Sequence, residues 1–321
     1  MLTIWTNAQL PESTLWRLQA AVAPNRVVVS RKLTDNLGAT GADPLLAEAD
    51  IAFGQPDPEQ LLGPLKLKWI QLTSAGYTRY DREDLRDALR ARGVIFCNSS
   101  SVFAEPCAEH LLAFMLAHAR AIPQSVQNQL GPKAWPIERL RSQCRVLSGQ
   151  SVLMLGFGAI ARRLCELLGP FGVSIQAVRQ TPRGDEPVRV FAISELEKLL
   201  PAADHVVDIL PFSKSTERFV DAKKFAAMKS GAVFYNIGRG GTVDQDALLA
   251  ALKDGPISAA FLDVTDPEPL PANHPLWAAA NCHITPHIGG GRIDEFDRAV
   301  DHFLANFGRY QTNAPLVDRV F

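Results

Sequence analysis

The sequence predicts an α/β protein made of two doubly wound parallel-sheet domains. Three observations carry that expectation. Over the first hundred residues, short β-branched or apolar runs alternate with polar, helix-compatible stretches. From Gly149 a second series with the same alternation begins. At its head, an apolar run ends in Gly156-Phe157-Gly158-Ala159-Ile160-Ala161 and passes into a helical pattern. Strands alternating with helices make mostly parallel sheets, because each return needs a crossover. A chain of 321 residues is long enough for two domains, each with its own core.

In chain order, "LTIW", "RVVVS", "DIAFG", "KWIQLT" and "VIFC" read as strands, and "DREDLRDALRARG" as a helix closed by Gly93. "EPCAEHLLAFMLAHARAI" is apolar nearly all round, which predicts a buried helix with Pro106 in its first turn. His110 and His118 lie within it and read as packed structural histidines, since no second ligand-type residue shares their face. The polar "NQLGPKAWPIERLRSQCR" reads as a connection. In the second series "SVLMLG", "VSIQAV", "HVVDIL", "AVFYNIG", "SAAFLDV" and "CHITPH" are strands. "RIDEFDRAVDHFLANFGRY" is an amphipathic helix that either closes the second domain or crosses back to the first.

Composition narrows the class. With 47% hydrophobic and 21% charged residues the chain is globular. A net charge of -1 supplies no global field for nucleic acid or an acidic membrane. The five cysteines are widely spaced without a CxxC, so reduced thiols are expected rather than a disulfide framework or a zinc site. The opening "MLTIWTNAQLPEST" lacks the basic and apolar regions of a signal peptide, and no apolar run approaches ~20 residues. A cytoplasmic protein without metal, membrane or nucleic-acid partner is expected.

The glycine loop has a specific chemistry. Gly156 allows the tight turn, Gly158 lets backbone approach a pyrophosphate, and Ala161 lets the helix pack on the sheet. Such a site usually carries an acid about 20 residues on, for the ribose hydroxyls. Here Arg179, Gln180, Thr181 and Arg183 follow the second strand, and no carboxylate occupies residues 178 to 181. One reading is a solvated loop with incidental charge. The other is a guanidinium gripping a 2′-phosphate, which favours NADP(H) over NAD(H).

Three further stretches end predicted strands with single polar residues, where ligands bind in open α/β sheets. Arg239 stands between glycines, before a helix capped near Thr242 or Asp244. Asp263 and Glu268 stand in a Pro-punctuated loop, and His287 follows Pro286 and precedes three glycines. An arginine can fork a carboxylate, and an imidazole changes charge near neutral pH.

With "GFGAIA", "ILPFSKST", "MKSGAVFYNIGRGGTVDQDALLAAL", "SAAFLDVTDPEPL" and "TPHIGG", the stretch from Ser99 to Gly290 resembles the D-isomer-specific 2-hydroxyacid dehydrogenase family. The resemblance implies a flavodoxin-like substrate domain (1–100 with 288–321) and a Rossmann cofactor domain (101–287). It makes Arg239 the substrate anchor, His287 the acid/base and Glu268 its partner. Gly156, Gly158, Ala159, Ile160, Arg179, Gln180, Arg183, Leu210, Pro211, Thr216, Ile237 and Asp263 would bind cofactor, Asp263 taking the nicotinamide carboxamide. "LTSAGYTRYD" resembles the family segment whose amides receive the substrate carboxylate, here Ala75 and Gly76, although Ser74 and Thr78 stand where Gly and Asp are common. Phe53, Tyr77 and Trp277 are candidate pocket walls or core residues.

The function expected is an NADP(H)-preferring reductase, with NAD(H) possible, acting as a homodimer on a small 2-keto acid such as glyoxylate or hydroxypyruvate. Alternatives are an NAD-linked phosphoglycerate or formate-type dehydrogenase, or a dinucleotide-sensing protein like the corepressors related to these enzymes. The lack of long disordered tails favours the enzyme.

Overall fold

The computed structural model describes residues 1–36, 38 and 40–321. It divides into two compact units, Met1–Phe103 with Arg292–Phe321, and Ala104–Gly291.

In the first unit β1 (Thr3–Ala8), β2 (Arg26–Thr34), β3 (Ile51–Gly54), β4 (Trp69–Leu72) and β5 (Ile95–Cys97) form a parallel sheet of order β2-β1-β3-β4-β5. That is the flavodoxin-like order. β3 and β4 are buried along their whole length, as a sheet covered on both faces requires. The C-terminal helix Glu295–Gln311 belongs to this unit. It buries Ala299, Val300, Phe303, Asn306 and Phe307, a single stripe at helical spacing. Phe303 stacks on Trp69 of β4 with ring centroids 5.1 Å apart. Asn306 donates to the Gln71 side chain at 2.9 Å, so the one polar residue in the stripe is satisfied.

The second unit holds β6 (Ser151–Leu155), β7 (Ser174–Arg179), β8 (Arg189–Ala192), β9 (His205–Asp208), β10 (Val233–Asn236), β11 (Ala259–Leu262) and β12 (Cys282–Ile284). All are parallel, in the order β12-β11-β10-β9-β6-β7-β8, the Rossmann arrangement extended by one strand. The order reverses between β6 and β9, and in open α/β sheets ligands bind beyond the carboxyl ends at such a switch point. Leu155 pairs with Asp208 and Asp208 with Asn236, so β6, β9 and β10 finish level. Gly156, Ile209 and Ile237 therefore emerge side by side, with Leu210 one residue further on.

Three sequence expectations need correction. The helix expected from Glu105 starts at Ser100, which puts Pro106 inside it rather than in its first turn. Nor is that helix buried all round: Glu109 and Ala113 are exposed. The expected connection, residues 128–145, contains the helix Ile137–Gln143 and the end of another, Ile122–Leu130. Neither has a buried residue, so no apolar stripe marked them. β8 also went unrecognised, being a four-residue edge strand without a fully buried position.

Candidate active site

The glycine loop takes the turn its sequence suggests. Gly156 sits at φ +99°, and a Cβ there would stand 3.3 Å from the Ile209 carbonyl oxygen. Gly158 is the N-cap of the Ala159–Leu168 helix, with no side chain capping the first turn. A Cβ at 158 would meet no protein atom within 4 Å. The fold leaves open space at this position, directly before free helix amides. Ala159 and Ile160 form the first turn, and Ala161 is fully buried against the sheet.

Arg179 ends β7 and is not a loose loop charge. Its Nη1 donates to Glu186 Oε1 at 3.0 Å. The Arg183 amide donates to the same oxygen at 3.0 Å, and the Gly184 amide to Oε2 at 2.8 Å. The Glu186 side chain is only 3% exposed. The Arg183 amide first, aided by the Gly184 amide and Arg179 against the cost of desolvation, pulls the Glu186 carboxyl down to about 2. The Gln180 and Arg183 residues are exposed. Sequence reasoning stopped at residue 183 and missed this acid. The available signal was the Gly184 turn, which returns an Asp-Glu pair towards the end of β7.

Beyond β10, Asn236 organises the Arg239 turn. Its Oδ1 accepts the Gly238 amide at 2.9 Å, and its Nδ2 donates to the Arg239 carbonyl at 3.0 Å. The Arg239 guanidinium bonds the Gly238 carbonyl at 2.6 Å, and burial lowers its pKa, with Glu268 opposing. At Gly240 a Cβ would fall 1.9 Å from the Thr265 carbonyl oxygen, so this turn lies against the loop that carries Glu268. Asp244 caps the helix that follows, accepting from the Ala247 amide at 3.1 Å.

Glu268 Oε2 lies 2.8 Å from His287 Nδ1, and its Oε1 accepts the Thr265 amide at 3.0 Å. Burial pushes the Glu268 carboxyl up, but the His287 and Thr265 bonds and Arg239 outweigh it and hold it low. With Nδ1 engaged, His287 Nε2 has no partner among the described residues. His287 itself stands at φ +53°, in the left-handed region. Such a backbone costs a non-glycine residue on the order of 1–3 kcal/mol. Asp263, 2% exposed, holds it there: its Oδ1 accepts the Ile288 amide at 2.9 Å and its Oδ2 the Gly289 amide at 2.8 Å. Thr285 Oγ1 also donates to Asp263 Oδ1 at 2.6 Å, and His110 Nε2 stands 3.0 Å from that hydroxyl.

A family model described as the NAD-binding domain of D-isomer-specific 2-hydroxyacid dehydrogenases matches residues 112–289, the stretch that carries all of these groups except His110. The chain belongs to this family. As a D-isomer-specific 2-hydroxyacid dehydrogenase it is an NAD(P)-dependent oxidoreductase. Glyoxylate/hydroxypyruvate reductase B of Escherichia fergusonii is 33% identical over 75% of this chain and 75% of its own. The Shigella flexneri protein of that name is 31% identical over 87% and 86%. A D-isomer-specific 2-hydroxyacid dehydrogenase from Xanthobacter autotrophicus Py2, solved with NADPH and MES, superposes with a TM-score of 0.81 at 27% identity, covering 100% of this chain and 98% of that one.

Other residues expected to serve the dehydrogenase take these positions. Leu210 and Ile237 are buried just beyond β9 and β10, and Pro211 is exposed. The Thr216 hydroxyl donates to the Pro211 carbonyl at 2.6 Å and accepts the Ser213 amide at 2.8 Å, closing its own turn. In the first unit, Ala75 and Gly76 follow β4. Ser74 donates to the Gly76 carbonyl at 2.7 Å and Asn98 to the Ala75 carbonyl at 2.7 Å, while both amides lack an acceptor among the described residues. Phe53 is core, fully buried against Phe303. Tyr77 is half-buried against Phe96, and Trp277 is half-exposed. Among the described residues no group of side chains could hold a metal ion, and no helix is long and apolar enough to cross a membrane.

Proposed function

We propose that this dehydrogenase reduces a small 2-keto acid of the glyoxylate or hydroxypyruvate type to its D-2-hydroxy acid, with NADP(H) preferred. The observation that carries the reading is the desolvated Arg239 guanidinium beside the 2.8 Å Glu268–His287 pair. Arg239 and Glu268 are close enough for each to act on the other's titration.

The residues fit a dinucleotide. The space at Gly158 and the open amides of the Ala159–Leu168 helix suit a pyrophosphate. A dinucleotide held there would supply or take up the hydride of the reaction. Asp263 has one lone pair left, on Oδ2, for its carboxamide. Arg239 holds the substrate carboxylate and carbonyl oxygen, and its burial strengthens the attraction. His287, protonated, delivers its Nε2 proton to the carbonyl oxygen in reduction and recovers it in oxidation. Glu268 accepts the Nδ1–H, which fixes the tautomer and stabilises the imidazolium. The Ala75 and Gly76 amides are assigned to the substrate carboxylate on the resemblance of their loop.

NADP(H) preference rests on Arg179 and is supported by the NADPH-bound relative. Exposed Leu130, Trp135 and Ile137, at 79%, 90% and 53%, support a homodimer. The free cysteines support a cytoplasmic setting. The test is cofactor oxidation on a panel of 2-keto acids with NADPH and with NADH. A His287→Gln variant retaining near wild-type turnover on every substrate would overturn the acid/base assignment. Equal or better kcat/KM with NADH would overturn the preference.

A further inference from the structure

Asp208 ends β9 fully buried, and the chemistry above gives it no task. Its Oδ1 accepts the Leu210 amide at 3.0 Å. Its Oδ2 lies 2.7 Å from Thr242 Oγ1, and that same hydroxyl lies 2.6 Å from the Arg239 carbonyl oxygen. A threonine hydroxyl owns a single proton. If it donates to an ionised Asp208, the Arg239 contact becomes two oxygens at 2.6 Å with no proton between them. If it donates to Arg239, an ionised Asp208 faces its lone pair at 2.7 Å. Both contacts are hydrogen bonds only when the carboxyl carries a proton.

The surroundings favour the neutral acid. Across the sheet Asp208 is flanked by Leu155 of β6 and Asn236 of β10, and Asn236 is committed to the Gly238 amide and the Arg239 carbonyl. From the turn beyond β10 it meets Thr242, and from its own strand end the Leu210 amide. None of these groups is charged, and no charged side chain among the described residues bears on its titration. Burial pushes the carboxyl up to about 7, against the bonds from Thr242 and Leu210.

We propose that Asp208 is a protonated positioning residue: its O–H donates to Thr242, whose hydroxyl donates to the Arg239 carbonyl and so sets the substrate anchor. The proposal rests on Arg239 being that anchor. When Asp208 ionises, the Thr242 proton turns to the carboxylate and the Arg239 carbonyl loses one of its donors. Substrate binding then weakens at alkaline pH while cofactor binding does not.

Asp208→Asn preserves both contacts without a titrating proton, its carbonyl accepting from Leu210 and its amide donating to Thr242. From about pH 6 to about pH 9, the keto-acid KM of the parent should rise about fivefold relative to that of Asp208→Asn, the worth of one hydrogen bond. The KM for NADPH should follow the same course in both. Infrared difference spectra over that range should show a carboxylic-acid C=O band in the parent that is missing from Asp208→Asn. Absence of that band in the parent, or identical KM profiles, overturns the proposal. Arg239→Gln separates the two readings. If it leaves the keto-acid KM unchanged, the anchor assignment falls and this proposal with it. If it raises KM while Asp208→Asn tracks the parent at every pH, the Asp208 proposal alone falls.

Discussion

Gly158→Ala separates what the fold needs from what a ligand needs. The glycine has φ −109° and ψ −156°, an extended backbone open to any residue. Its missing Cβ would meet nothing within 4 Å. Alanine therefore fits the apo protein without strain, and by restricting the unfolded chain should stabilise it by ~0.4–1 kcal/mol. The new methyl group stands where the pyrophosphate must approach the helix amides. Losing one charge-assisted hydrogen bond there costs ~1.5–3 kcal/mol, so NADPH should bind about 10- to 100-fold more weakly. Urea unfolding of the apo protein measures the first effect, and titration of NADPH fluorescence the second. Destabilisation by alanine, or an unchanged Kd, would refute the idea that this glycine is kept for a ligand. Gly240→Ala is the contrasting control. Its Cβ would fall 1.9 Å from the Thr265 carbonyl oxygen, so the apo protein should lose ~1–3 kcal/mol before any cofactor is added.

At the other end of the dinucleotide, Arg179→Asp should reverse the preference towards NADH in a kcat/KM comparison. Glu186→Gln frees Arg179 of its internal anion and should tighten NADPH more than NADH in direct titrations. Glu268→Gln removes the charge facing His287 and should lower kcat about 10²-fold, read in single-turnover reduction. Asp208 predicts a stability effect of definite sign. Its folded-state value, about 7, lies above the ordinary carboxylate value, so stability falls as pH rises between the two and the penalty persists above about 7. At pH ~8 Asp208→Asn escapes that penalty and should be more stable by up to ~4 kcal/mol, measured by urea unfolding. His205, buried and lowered to about 4, acts on the acid side. The unfolded chain binds its proton first, so stability should fall as pH drops from ~6.5 towards 4, and His205→Gln should flatten that limb.

What could be read beforehand depended on which signals the residues had to display. β3, β4, β6, β10 and β11 are short apolar runs because both faces are covered, and such runs are visible. Glycines at 156 and 158 announce a turn and a ligand together. The residues of the Glu268–His287 pair were identifiable one by one, each standing beyond a strand. Relations between side chains were not. Glu186 reaches Arg179 only because the loop after β7 folds back, and the Asp208–Thr242 contact joins residues from separate strand ends. The helices over 122–143 escaped for the opposite reason. They bury nothing, so no periodic stripe recorded them.

The left-handed backbone at His287 makes this a position where folding and chemistry favour different amino acids. Glycine or asparagine suits that conformation better, and either would add to the resistance of the chain to unfolding. A directed-evolution campaign selecting for heat resistance alone should therefore discard the histidine early, and its most durable clones should be inert. Selection for turnover would have to hold residue 287 fixed and seek its gains elsewhere, so this codon is a direct record of which pressure was applied.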